Sequence, residues 1–188
     1  MKGIIGSLAS LLMCSAAIGS VHEPITSYEI RFSQADQLID NFIARIEAEK
    51  SSIKIATYSL MDRKIASALI AAHRRGVAVE ILVDPFSIKS RGPSKKIAKS
   101  ELPFYVWCPK GPKFKGAKQT LNDAFCLFGN QTVWAGAFNF TGDVKHNVSS
   151  ENVIILEQEA VSIEYAKEFE RMKKEGSLTY EEFIKARS

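Results

Sequence analysis

Apolar residues recur along the chain with two different periods, and each switch of period marks an element. Ala35, Leu38, Ile39, Phe42, Ile43 and Ile46 stand at helical spacing, which predicts a helix with one buried face. Ser33-Gln34-Ala35-Asp36 precedes them and reads as a capping box opening that helix. SIKIATYSL, from Ser52 to Leu60, predicts a strand by its branched and aromatic content. Asp62 is the expected N-cap of a helix through Arg75, with Gly76 as terminator, and VAVEILVD, from Val77 to Asp84, is the next strand. Strand, helix and strand joined by short turns make a right-handed βαβ unit with parallel pairing.

The pattern then breaks. From Asp84 to Lys118 proline and glycine recur, interrupted by the short apolar run LPFYVWC, a predicted strand from Leu102 to Cys108. Beyond it DAFCLF and TVWAGA flank Gly129-Asn130, the signature of a hairpin with a tight turn. ENVIILE, from Glu151, predicts a last strand. Glu159 to Lys174 has the spacing of an amphipathic helix ending near Gly176, and a short basic helix closes the sequence. The expected class is α/β, a mixed sheet with helices on both faces.

Composition refines this picture at two places. With 188 residues, 46% apolar and 24% charged, the chain has the profile of one soluble globular domain. Residues 1–20 differ: Met1-Lys2 leads into the uncharged run GIIGSLASLLMCSAAIG, and Ala17-Ile18-Gly19 offers small residues to a signal peptidase. A cleaved signal peptide is the expectation, with export to the periplasm or medium. An uncleaved anchor through residues 3–19 is the alternative. The folded domain is then 28–188. Charge is concentrated: residues 84–118 hold nine Lys or Arg against Asp84 and Glu101, whereas the whole chain is only +4. Cys108 and Cys126 sit in apolar runs and read either as buried thiols or as a pair. There is no Cys-x-x-Cys, and His22, His73 and His146 have no ligand spacing, so no metal or cofactor is expected.

The βαβ passage IKIATYSL…IASALIAAHRRGVAVEILVD, the hairpin, GAFNFT and the later SSEN together resemble the phospholipase D superfamily, in its small bacterial endonuclease form with one motif per chain. The resemblance runs from about Tyr28 to Glu170. It implies a phospholipase D-like mixed sheet flanked by helices, phosphodiester chemistry, and a site built across a homodimer or a heterodimer with a related chain. The family motif is His-x-Lys-x4-Asp followed by Gly-Ser-x-Asn. Counting back from Asn139 without gaps, those positions fall on Asn122, Ala124, Gly129, Gly136 and Ala137.

The chemistry of the implied reaction gives these differences weight. One histidine attacks phosphorus and another protonates the leaving oxygen, which is nucleophilic and general acid catalysis. A carboxamide at Asn122 does neither, and Ala124 carries no ammonium for the phosphoryl oxygens. The resemblance thus leaves a phosphate-binding remnant of Asn122, Gly136, Asn139 and Glu151, with Lys145 and His146 as possible substitutes in the following loop. The expectation is a domain that binds a phosphate-bearing ligand, either nucleic acid or anionic lipid, or a partner chain, without turnover. The alternative is an active phosphodiesterase with an altered site. Lys110, Lys113, Lys115 and Lys118 in the basic segment 84–118 are the expected polyanion surface, against the plain alternative of a solvated lysine-rich loop.

Overall fold

In the computed structural model the described residues are 27–33, 36–89, 92–112, 120–138, 140 and 150–187. The strands are β1 (Tyr28–Phe32), β2 (Ser52–Thr57), β3 (Ala78–Val83), β4 (Phe104–Trp107), β5 (Ala124–Phe128), β6 (Thr132–Gly136), β7 (Asn152–Glu157) and β8 (Ser177–Thr179). The helices are α1 (Leu38–Ala48), α2 (Arg63–Arg74), α3 (Ser94–Ala98), α4 (Glu159–Gly176) and α5 (Tyr180–Arg187). They build one sheet in the order β1-β7-β6-β5-β2-β3-β4-β8. β2 pairs parallel with β3, and β3 with β4; β5, β6, β7, β1 and β8 join antiparallel, so the sheet is mixed.

Strand alternation divides the core in two. Ile53, Ile55, Cys126, Phe128 and Trp134 pack with the helical residues Leu38, Phe42, Ile46, Ile65 and Leu69 from α1 and α2. Ala56, Leu82, Phe125, Leu127, Val133 and Ala135 face the other way, onto Phe169 and Met172 of α4. Helices therefore cover both faces, as the sequence predicts. The parallel βαβ unit is present, with Ser52↔Ala78 through Thr57↔Val83 in register. Asp62 caps α2 as expected, its Oδ1 accepting from the amides of Lys64 (2.7 Å) and Ile65 (3.0 Å).

Several boundaries are corrected. The capping box does not form: α1 begins at Leu38, after Gln37 in a left-handed conformation. The Ser33 hydroxyl instead accepts the Glu151 amide at 3.0 Å, and Asp36 turns back to the Phe32 amide. The hairpin turn has three residues, 129–131, because Phe128 pairs with Thr132. The terminal helix α5 is not basic, since Glu181 and Glu182 offset Lys185 and Arg187. Two elements were not foreseen inside irregular stretches, α3 and β8, and β1 adds an edge strand at the start. Cys108 and Cys126 are both free thiols, Cys126 buried and Cys108 half-buried, and burial pushes both above the usual thiol range. Residues 1–26 lie outside the described residues, and with them the signal or anchor segment. Among the described residues no helix is long and apolar enough to cross a membrane.

Candidate functional site

The strand registers gather four of the sequence-derived site residues, Asn122, Ala124, Gly136 and Glu151, at one end of the sheet. Ala124 opens β5 and faces Thr57, the last residue of β2. One step past the Phe125↔Ala135 pair lies Gly136, which ends β6 opposite Val153 of β7. Glu151 directly precedes β7 and is buried. Asn122 lies two residues before Ala124 and is exposed. The same end receives the C-termini of the parallel strands β2 and β3, which is where open α/β sheets bind ligands.

Gly136 is required there by space as well as by conformation. Its φ is +148°, and a Cβ would run into the Asn152 carbonyl oxygen and sit 2.9 Å from Val153 Cα. The next turn is held from below by aromatic rings. Phe138 and Phe140 are buried, pack edge-on at 4.8 Å, and both lie against Phe42 of α1. The Phe140 carbonyl accepts the amides of Met61 (2.8 Å) and Asp62 (2.9 Å), tying this turn to the start of α2. Asn139 itself lies outside the described residues, as do Lys113, Lys115, Lys118, Lys145 and His146.

Gly129, the position of the family aspartate, is not part of this end. It sits at the opposite tip of the hairpin, donating its amide to Ser52 O at 2.8 Å. Lys110 is exposed on the far side of a cavity of about 480 Å³ that opens beside the site. Tyr58, Asp84, Phe86, Lys89, Thr120 and Arg187 also line that cavity.

Asp84 was not singled out by sequence reasoning, yet it organises this end. It is buried at the tip of β3; Oδ1 accepts the Phe86 amide at 2.7 Å and Oδ2 the Leu121 amide at 3.0 Å. The second bond reaches the residue before Asn122 and so fixes the entry to β5. Its signal in the sequence is a carboxylate ending an apolar strand immediately before proline. Ser87 acts alike, accepting the Leu60 amide (2.9 Å) and donating to Tyr58 O (3.1 Å). Tyr58 stacks on Phe86 at 4.9 Å, and Lys89 Nζ lies 3.8 Å from the Phe86 ring centre. Asp123, between Asn122 and Ala124, points to the α4 side. Desolvation and the neighbouring Glu168 raise its carboxyl above the usual range, against the pull of Arg171. Among the described residues no cluster of His, Cys, Asp and Glu is arranged to hold a metal ion.

Residues 42–173 match the family model described as cardiolipin synthase, PLD-like domain. The chain belongs to the phospholipase D-like family. Curated relatives agree: proteins called phospholipase D from Rickettsia bellii and Rickettsia felis are 32% and 33% identical over 125 residues, 66% of this chain. Those alignments cover 58% of each relative, so this phospholipase D-like chain matches little more than half their length. Among solved structures, the phospholipase D family member Nuc from Salmonella typhimurium has the same fold, with a TM-score of 0.69 and 24% identity. That match covers 82% of this chain and 97% of Nuc. NucT from Helicobacter pylori follows at 0.66 and 19%, covering 82% of this chain and all of NucT. The phospholipase D-like fold expected from the sequence is therefore the fold observed, and it is shared with Nuc and NucT.

Proposed function

We propose that this phospholipase D-like domain holds a phosphate-bearing ligand, a nucleic acid or an anionic lipid headgroup, at the hairpin end of its sheet without cleaving it. The observation that carries this reading is Ala124 at the head of β5, facing Thr57. The family motif calls for a lysine there, and for a histidine where Asn122 stands. A methyl group and a carboxamide offer no nucleophile, no titratable proton near neutrality and no cation for the phosphoryl oxygens. The frame for a ligand is kept: Gly136, the buried Glu151 and the anchored Phe138 and Phe140 around position 139. Pairing of two copies, or of this chain with an intact relative, belongs to the same proposal.

The test is hydrolysis of duplex DNA, RNA and phosphatidylcholine by the purified full chain, alone and after Asn122→His with Ala124→Lys. No turnover is expected from the natural sequence, and measurable turnover from the restored pair. Turnover by the natural sequence that vanishes in Asn139→Ala overturns the proposal. The Rickettsia relatives, named phospholipase D, favour that second reading, an active phosphodiesterase with an altered site.

A further inference from the structure

A second feature lies away from the hairpin end. Helix α2 starts at the end of β2 and returns to the start of β3, so Arg74 in its last turn stands at the opposite end of the sheet. Beside it, α3 is moored by Ile97, which is fully buried. Between the two helices runs a groove of about 690 Å³ lined by Ser67 and Arg74 of α2 and by Lys95, Lys96 and Lys99 around α3. Among the described residues no carboxylate lines it. The four cations are exposed, and among the described residues none of them forms an ion pair. Lys96 Nζ donates to Ser67 Oγ at 3.0 Å, which aims it along the groove.

On α4 of this same chain Lys167 and Lys173 each pair with a carboxylate three positions away. Here four like charges share one concave surface with no described carboxylate to neutralise them, an electrostatic cost that a polyanion removes. The chemistry of the walls narrows the ligand. A bilayer surface is gripped by large apolar side chains inserted beside the cations, but of the apolar lining residues Ile70 is buried and Ala71 exposes no more than a methyl group. Among the described residues no aromatic ring lines the groove, so it offers bases no stacking platform. What remains is a cation track suited to a phosphate backbone, read without regard to sequence.

We propose that the α2–α3 groove binds the phosphate backbone of a nucleic-acid duplex independently of its sequence. The binding rests on the groove's own cations and not on the chemistry of the hairpin end.

The experiment is fluorescence anisotropy with two unrelated duplexes of about 20 base pairs, titrated with the full chain between about 50 and 200 mM NaCl. Replacing Lys95, Lys96 and Lys99 together by Gln is expected to weaken binding to both duplexes at least tenfold. It should also reduce the slope of log K against log salt by about 2.7, three contacts at about 0.9 each. Arg74→Gln alone should remove about one such step. A control with the same charge change elsewhere, Lys50, Lys174 and Lys185 to Gln, should keep the natural slope. An absence of duplex binding by the natural chain, or equal losses in both triple variants, overturns the proposal. So does a groove variant that loses phosphatidylglycerol vesicles but keeps duplex. Hydrolysis in the previous assay would overturn the proposed function and leave these salt slopes untouched.

Discussion

The two helical covers of the sheet use similar charges in opposite ways. On α4, Lys167 pairs with Glu164, Arg171 with Glu168 and Glu175, and Lys173 with Glu170 and, across to β3, Glu80. Lys54 of β2 completes a four-charge bridge with Glu80 and Glu170, beneath which Phe169 lies. On α2 and α3 the cations have no such partners among the described residues. The first arrangement spends its charge on docking a helix; the second leaves it available to a ligand. Substitutions that cost stability on one side should therefore cost binding on the other.

The sharpest break of that contrast is Phe169→Ala, which removes the buried contact under α4 and should cost about 3–5 kcal/mol in chemical denaturation while leaving the duplex salt slope intact. Gly136→Ala, placed between the two covers at the hairpin end, should cost about 1–3 kcal/mol from overpacking, with added strain at its φ. Lys173→Met should cost about 1 kcal/mol, because its partners are only partly exposed. Lys95→Gln should change stability by less than about 0.5 kcal/mol, since among the described residues its ammonium has no carboxylate partner to lose, while still lowering duplex affinity. A loss of several kcal/mol in Lys95→Gln, or none in Phe169→Ala, would erase the distinction.

The smallest effect is in pH. Burial raises the Glu170 carboxyl, but the hydrogen bonds and charges of Lys173 and Lys54 outweigh it and hold the group below its ordinary 4.5. The folded chain thus binds this proton less readily than the unfolded chain. Its contribution is present above the ordinary carboxylate range and is lost as pH falls through the lowered value. Glu170→Gln should flatten the acid limb of a stability–pH curve slightly, and an unchanged limb would remove this bridge from the account.

Much of the fold was legible because its signals are local. Asp62 caps α2, Gly76 ends the same turn with φ +93°, and the β2–α2–β3 periodicity needs no distant partner. The failures are tertiary. Ser33 has the chemistry of a cap, but Glu151, far along the sequence, takes its hydroxyl. The three residues of β8 carry no strand pattern and are recruited by register with Tyr105, Val106 and Trp107. For the site, motif spacing found Ala124, Gly136 and Glu151 at one sheet end, whereas Asp84 acts through a bond to Leu121 that no local pattern announces. The α2–α3 groove was missed similarly: Arg74 and Lys95 meet only because α3 folds back over α2. The concentration of lysine was visible, but its geometry was not.

The recruitment of β8 carries a consequence for assembly. Strand β4 has β3 on one side, and its other side stays open until the hairpin, β7 and all of α4 have been synthesised. A nascent chain therefore passes through a stage with a bare, aromatic-bearing sheet edge, the kind of template to which other chains adhere. Gly176 governs how that stage ends: its carbonyl accepts the Cys108 amide at 2.7 Å, and any Cβ there would collide with the Trp107 ring. This one glycine leaves the Trp107 ring its place as the late strand closes over the early one, and a bulkier residue would make that closure wait on the ring moving aside.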